Sequence, residues 1–166
     1  MARAKLSHVL PQGQACMVNV TGKRVTARTA RAEAWVNVGA VVAARLRATG
    51  SDAKGNVLET ARLAGIMAAK QTAHLIPMCH PLVLDAVEMV AELVGDKVRL
   101  ESRIVCDGKT GVEMEAMSAA AVAALTVYDM VKSAGKGVEI GPIRLLEKTG
   151  GRSGHWRKEN TGHGAD

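Results

Sequence analysis

A thiol and an imidazole stand side by side between two prolines in Pro77-Met78-Cys79-His80-Pro81. Each proline fixes its own φ and drives the preceding residue out of the α region, so Ile76 and His80 are held extended and the segment is a rigid connector. Stiff backbone around two reactive groups reads as the preformed wall of a binding site, with His80 as a hydrogen-bonding or proton-transfer group. Adjacent Cys79 and His80 lack the spacing of a metal clip, so no metal ligands are assigned. The plainer alternative is a buried cysteine beside a satisfied histidine in a stiff turn.

Two lysine–glycine loops, Lys54-Gly55 and Lys109-Thr110-Gly111, each precede an expected helix. A helix N-terminus offers unpaired N–H groups and a positive dipole end, and lysine adds a full charge, so the repeated design suits a polyphosphate. Gly108-Lys109-Thr110 imitates the end of a P-loop, but Arg103 stands where its first glycine is required, so this is no Walker motif.

The helix expected over 113–132 carries Glu113 and Glu115 at its start and Asp129 and Lys132 at its finish. Asp129 and Lys132 share a face at i,i+3 spacing and can pair. In a buried site the carboxylate orients the ammonium, and burial brings the lysine pKa toward an acid/base range. Glu113 and Asp129 are separated by roughly 24 Å at 1.5 Å per residue, too far to grip the reacting atoms of one small ligand. If both ends act, a two-fold dimer with antiparallel helices brings the start of one helix to the finish of its neighbour.

The elements that position these groups follow from periodicity. Residues 1–32 show no period and read as an arm. A short strand follows at Ala34–Val38, then a helix over Gly39–Thr49. Lys54-Gly55-Asn56 opens a stronger helix running to about Thr72, with Val57, Ala61, Gly65 and Ala68 on one face. Leu82–Val94 and Lys97–Asp107 form a hairpin about Gly95-Asp96; Val98, Leu100, Ser102, Ile104 and Cys106 share one parity and charged residues the other. Val138–Lys148 reads as a last strand. The pattern predicts one α+β domain over 1–166, helices packed on one face of an antiparallel sheet, with about 1–14 and 156–166 expected to be mobile.

Composition bounds the partners. The 166 residues include no Phe and only Trp35, Trp156 and Tyr128 as aromatics, so the core must be aliphatic. A net charge of +6 suits an anion, but few stacking platforms and no basic run point to a small polyanion rather than nucleic acid. Three scattered cysteines without a C-x-x-C pair suit a reducing compartment, and neither a secretory leader nor a span of ~20 apolar residues is visible. The expectation is a cytoplasmic protein without membrane contact. The rival readings are an RNA-binding module and a thiol- or metal-dependent hydrolase centred on Cys79 and His80.

Taken in order, Ala61-Arg62-Leu63-Ala64-Gly65-Ile66, Leu75-Ile76-Pro77-Met78-Cys79-His80-Pro81-Leu82, Lys109-Thr110-Gly111-Val112-Glu113-Met114-Glu115-Ala116 and Leu125-Thr126-Val127-Tyr128-Asp129-Met130 resemble the cyclic pyranopterin monophosphate synthases of molybdenum-cofactor biosynthesis. The resemblance runs over about residues 15–155. It implies a ferredoxin-like fold and a homohexamer built as a trimer of dimers, with sites between subunits. It also implies a lyase that turns (8S)-3′,8-cyclo-7,8-dihydroguanosine 5′-triphosphate into cyclic pyranopterin monophosphate and pyrophosphate. Asp129 and Lys132 match the family's catalytic pair, and Lys54 and His80 further catalytic groups. Met78, Cys79, His80, Met114 and Glu115 match substrate-contacting positions, while Glu113, Lys23 and Arg28 match site or triphosphate-binding positions. No cofactor is required by the resemblance, although a magnesium ion bridging the phosphates is compatible with it. Asn19 replaces the family's usual Asp and Met78 its usual Leu.

Overall fold

The computed structural model describes residues 12–52, 54–152 and 154–159. The elements, in order, are β1 (Thr26–Asn37), α1 (Gly39–Thr49), β2 (Ser51–Asp52), β3 (Gly55–Asn56), α2 (Val57–Lys70), α3 (Thr72–Leu75), β4 (Ala86–Val94), β5 (Lys97–Gly108), α4 (Glu113–Val131), β6 (Glu139–Thr149) and β7 (Trp156–Arg157). All pairings in the five-stranded sheet are antiparallel, in the order β4-β5-β1-β6-β7. Helices pack on one face, giving an α+β, ferredoxin-like architecture.

The core follows the alternation of the strands. Val98, Leu100, Ser102, Ile104 and Cys106 of β5 are buried, as are Ala30, Ala32, Ala34 and Val36 of β1 beside it. Above them α4 lays down Ala116, Ala119, Ala120, Ala123 and Ala124, each fully buried. Without aromatic side chains, these small residues let helix and sheet approach closely. Gly65 serves the same end between α2 and α4: a Cβ there would lie 3.1 Å from the Ala119 carbonyl oxygen and 3.0 Å from Met89 Sδ. The buried Ser102 hydroxyl donates to the Ala116 carbonyl at 2.8 Å, tying β5 to α4 without an unpaired polar group.

The opposite sheet face carries paired charges. Arg31 bridges Glu101 and Glu147, and Glu33 sits between Arg99 at 3.1 Å and Arg144 at 2.7 Å. Burial pushes the Glu33 carboxyl up, but the two guanidiniums outweigh it and hold its pKa below the usual range.

Several boundaries differ from expectation. The strand expected at Ala34–Val38 begins at Thr26, inside the supposed arm, because β1 is central and pairs with both β5 and β6. Its inward residues are alanines, too weakly apolar to mark a strand by hydropathy. Residues 82–85 precede β4 rather than extending it, and α2 begins only at Val57, since Gly55–Asn56 pairs with Ser51–Asp52. In the C-terminal tail, Trp156 and Arg157 pair with Lys148 and Glu147. The mobility expected of 1–14 and 156–166 falls largely on residues outside those described.

Candidate functional site

The rigid connector forms as its prolines require. Ile76 is extended at φ −113° and ψ 110°, and the Cys79 N–H donates to the Ile76 carbonyl at 3.1 Å, closing a turn with Pro77 and Met78 at its corners. This places Met78, Cys79 and His80 along a cavity of about 380 Å³ whose other wall is Glu113, Met114 and Glu115 from the first turn of α4. A second cavity, of about 660 Å³, adjoins it, and Lys23, Thr110, Gly111 and Glu113 line both.

The larger cavity is a cationic basin. Lys23, Arg24, Arg28, Lys109 and Arg152 line it, and none has an acidic partner among the described residues. Lys148 is the exception, paired with Glu113 at 2.9 Å. Several backbone features hold these cations in place. Arg28 Nε donates to the Gly108 carbonyl at 3.3 Å, and Lys109 Nζ to the Thr21 carbonyl at 3.1 Å. The Gly150-Gly151 turn then folds over Arg28, with both residues at positive φ (95° and 69°). A Cβ at Gly150 would lie 2.2 Å from the Ala27 carbonyl oxygen, and one at Gly151 1.8 Å from the Arg28 guanidinium. Glycine is what lets the turn reach the basin.

Val112, the residue before α4, provides no side-chain cap for the first-turn N–H groups at the edge of the basin, although the Glu115 N–H meets its own carboxylate. Here the lysine–glycine loop lies as the anion-binding design requires. The other does not. Asn56 caps α2 by accepting from the Glu59 N–H at 3.0 Å, and Lys54 turns instead toward the C-terminus of α4.

At that end Lys54 Nζ donates to the Asp129 carboxylate at 2.8 Å and to its carbonyl at 2.7 Å, while Lys132 Nζ meets the same carboxylate at 2.6 Å. Two cations at a helix C-terminus also complement its dipole. Hydrogen bonds from Lys132 and then Lys54 pull the Asp129 carboxyl down to about 2. The Asp129 carboxylate raises the Lys132 pKa in turn. The lowering of Lys132 expected from burial is therefore reversed in the single chain, where the side chain is exposed.

The residues named from sequence thus fall into two groups. Lys23, Arg28, Met78, Cys79, His80, Glu113, Met114 and Glu115 line the paired cavities, while Lys54, Asp129 and Lys132 line neither. Lys109, from the lysine–glycine loop read as suited to a polyphosphate, lines the basin too, and Lys148, Arg24, Thr26 and Arg152 also line it without having been assigned to it. Their common position depends on sheet register, which sequence spacing does not reveal. Glu115 is buried at 4% exposure, and that burial pushes its pKa up. Burial also raises the Cys79 thiol, with the Glu115 charge adding to the effect, so Cys79 is no activated thiolate. Asn19 accepts from the Thr21 N–H at 2.9 Å, a bond that an Asp oxygen would make equally well.

The connector, the lysine-flanked aspartate and all of the basin lining but Arg152 lie within the stretch that matches a known family. The model of the MoaC family matches residues 17–151, most of the chain; the protein belongs to this family, and with it to molybdenum-cofactor biosynthesis and the synthesis of cyclic pyranopterin monophosphate.

Proposed function

We propose that this chain is the lyase that converts (8S)-3′,8-cyclo-7,8-dihydroguanosine 5′-triphosphate to cyclic pyranopterin monophosphate and pyrophosphate. One observation carries the assignment: five cations with no acidic partner among the described residues share a cavity with the start of α4, beside the Met78–His80 wall. A triphosphate suits the basin and the purine-derived rings suit the smaller, less basic cavity.

Forming the cyclic phosphate joins a substrate hydroxyl oxygen to the α-phosphorus and breaks that phosphorus's bond to the bridging oxygen of the leaving pyrophosphate. The hydroxyl proton passes to a base. Negative charge grows on the pyrophosphate, where the basin cations and α4 N–H groups can meet it. Opening and reclosing the ring system requires proton transfers, for which His80, Lys54, Lys132 and Asp129 are the candidates. In the single chain Asp129 is ionised and its charge makes the Lys132 ammonium hold its proton more tightly, so Lys132 becomes an effective donor only where its surroundings lower that pKa again. A magnesium ion on the phosphates is compatible with this chemistry, and no residue is assigned to hold one.

Both ends of α4 belong to the reaction only if a second copy supplies one of them. Leu125 and Tyr128 are exposed on α4 next to Lys132, and Met114 is exposed at its start, an apolar face suited to another chain. An antiparallel neighbour covering that face would carry Asp129 and Lys132 to the partner's basin and desolvate Lys132, lowering its pKa toward a useful range. The proposed assembly is a cytoplasmic homohexamer, a trimer of such dimers. The RNA-binding alternative lacks support: the open sheet face is occupied by ion pairs, and Trp35 there is covered by Arg99 at 5.9 Å.

Incubation with the cyclised GTP derivative should release pyrophosphate and the pterin in equal amounts. Failure to consume that substrate, with the protein folded and oligomeric, would overturn the assignment.

A further inference from the structure

Among the described residues one buried side-chain oxygen or nitrogen has no hydrogen-bond partner, and it is Thr26 Oγ1. Thr26 is half-buried at the start of β1, opposite Gly108, and shares a strand face with Arg28 two residues on. It also lines the cationic basin, with Arg28, Lys109 and Lys148. Leaving a buried hydroxyl unpaired is unfavourable, and native proteins rarely do so without a water, an ion or a bound ligand to supply the partner. Its neighbours on this wall have protein partners: Arg28 bonds to Gly108, Lys109 to Thr21 and Lys148 to Glu113.

We infer that the Thr26 hydroxyl is a phosphate-binding group, donating a hydrogen bond to an oxygen of the polyphosphate held in the basin. The inference rests on the proposal that the basin holds the triphosphate, and adds a neutral donor to its cations. A hydroxyl contributes direction where lysine and arginine contribute charge. It fixes the orientation of a chain that the cations alone would hold in several registers.

The test is binding of inorganic tripolyphosphate to the full chain by calorimetry at fixed ionic strength, with melting temperature as a second reading. Thr26→Val keeps the shape and removes the hydroxyl, and Thr26→Ser keeps the hydroxyl. Thr26→Val should weaken binding about tenfold or more, the usual scale for a hydrogen bond to a charged group. Its melting temperature should not fall, because no protein partner is lost, and Thr26→Ser should bind like the native chain. In turnover, Thr26→Val should raise KM and leave kcat nearly unchanged. Undiminished binding by Thr26→Val overturns the inference. So does weakened binding accompanied by a melting temperature several degrees lower, which marks a structural hydroxyl. Arg28→Gln separates this from the basin reading: if Arg28→Gln loses affinity and Thr26→Val does not, only the Thr26 inference fails. If the native chain and Arg28→Gln alike fail to bind, the basin assignment itself fails.

Discussion

Glu113 opens α4 and Asp129 lies near its close, roughly 24 Å away along a straight helix at 1.5 Å per residue. Each anchors a separate cluster: Glu113 pairs with Lys148 at the basin, and Asp129 sits between Lys54 and Lys132. The helix fixes that separation. No side-chain motion within one chain can close it.

Asp129 should matter for catalysis through its two lysines. Asp129→Asn and Lys132→Ala should each lower kcat by about 10²–10⁴-fold, the range of one general acid/base group. Circular dichroism should show both variants folded, because all three side chains are exposed. Near-native kcat for either would remove its assigned role.

The same contact sets a pH window. A carboxyl held down at about 2 in the folded chain and near 3.9 in the unfolded one contributes stability above the unfolded value and loses it as pH falls toward the folded one. Carboxyl NMR on the isolated chain should find Asp129 titrating near 2, moving toward the ordinary Asp range in Lys132→Ala. An ordinary value in the native chain would show that the lysines do not hold it.

Glu115 runs the other way. Burial raises its pKa, so the folded state prefers the protonated acid, and stability falls as pH rises from below the unfolded value through the folded one. Glu115→Gln should therefore raise the melting temperature at neutral pH and flatten its pH dependence. A lower melting temperature would mean that the ionised carboxylate has partners that stabilise it.

Gly150→Ala should be costly in two measurements. Its φ of 95° and the 2.2 Å approach to the Ala27 carbonyl oblige the backbone to move, with strain on the order of 1–3 kcal/mol. Thermal denaturation should show the loss, and KM should rise as the turn withdraws from Arg28. Unchanged values in both would mean that the turn is not held against the basin.

Cys79 should prove dispensable as a nucleophile. Its thiol is pushed up by burial, and then by the Glu115 charge, so Cys79→Ser should retain most of its turnover and iodoacetamide should react slowly at neutral pH. Complete inactivation by the conservative serine would revive the thiol-hydrolase alternative.

Where periodicity was strong, the sequence was readable. The parity of Val98 to Cys106, the turn at Gly95-Asp96 and the span of α4 all came through, because apolar alternation and helix formers act locally. β1 did not: alanines facing the core look neutral until the flanking strands that bury them are known. The candidate site divides along the same line. Met78–His80 and Glu113–Glu115 are continuous segments and legible as such. Lys148 and Thr26 join the basin only through sheet pairing, and β6 reaches it across two register shifts against β1. Lys54 was legible as a loop lysine but not as a partner of Asp129, because that contact spans the fold.

The central claim is that one catalytic site takes residues from both ends of α4, each from a different chain. Glu113→Ala and Lys132→Ala proteins, each inactive alone, should be mixed under conditions that exchange subunits, and mixed oligomers verified by native mass spectrometry. Pyrophosphate release should recover to about a quarter of the native rate, because half the dimers mix at random and each mixed dimer regains one of its two sites. Verified mixed oligomers with no recovered activity would contradict the shared site.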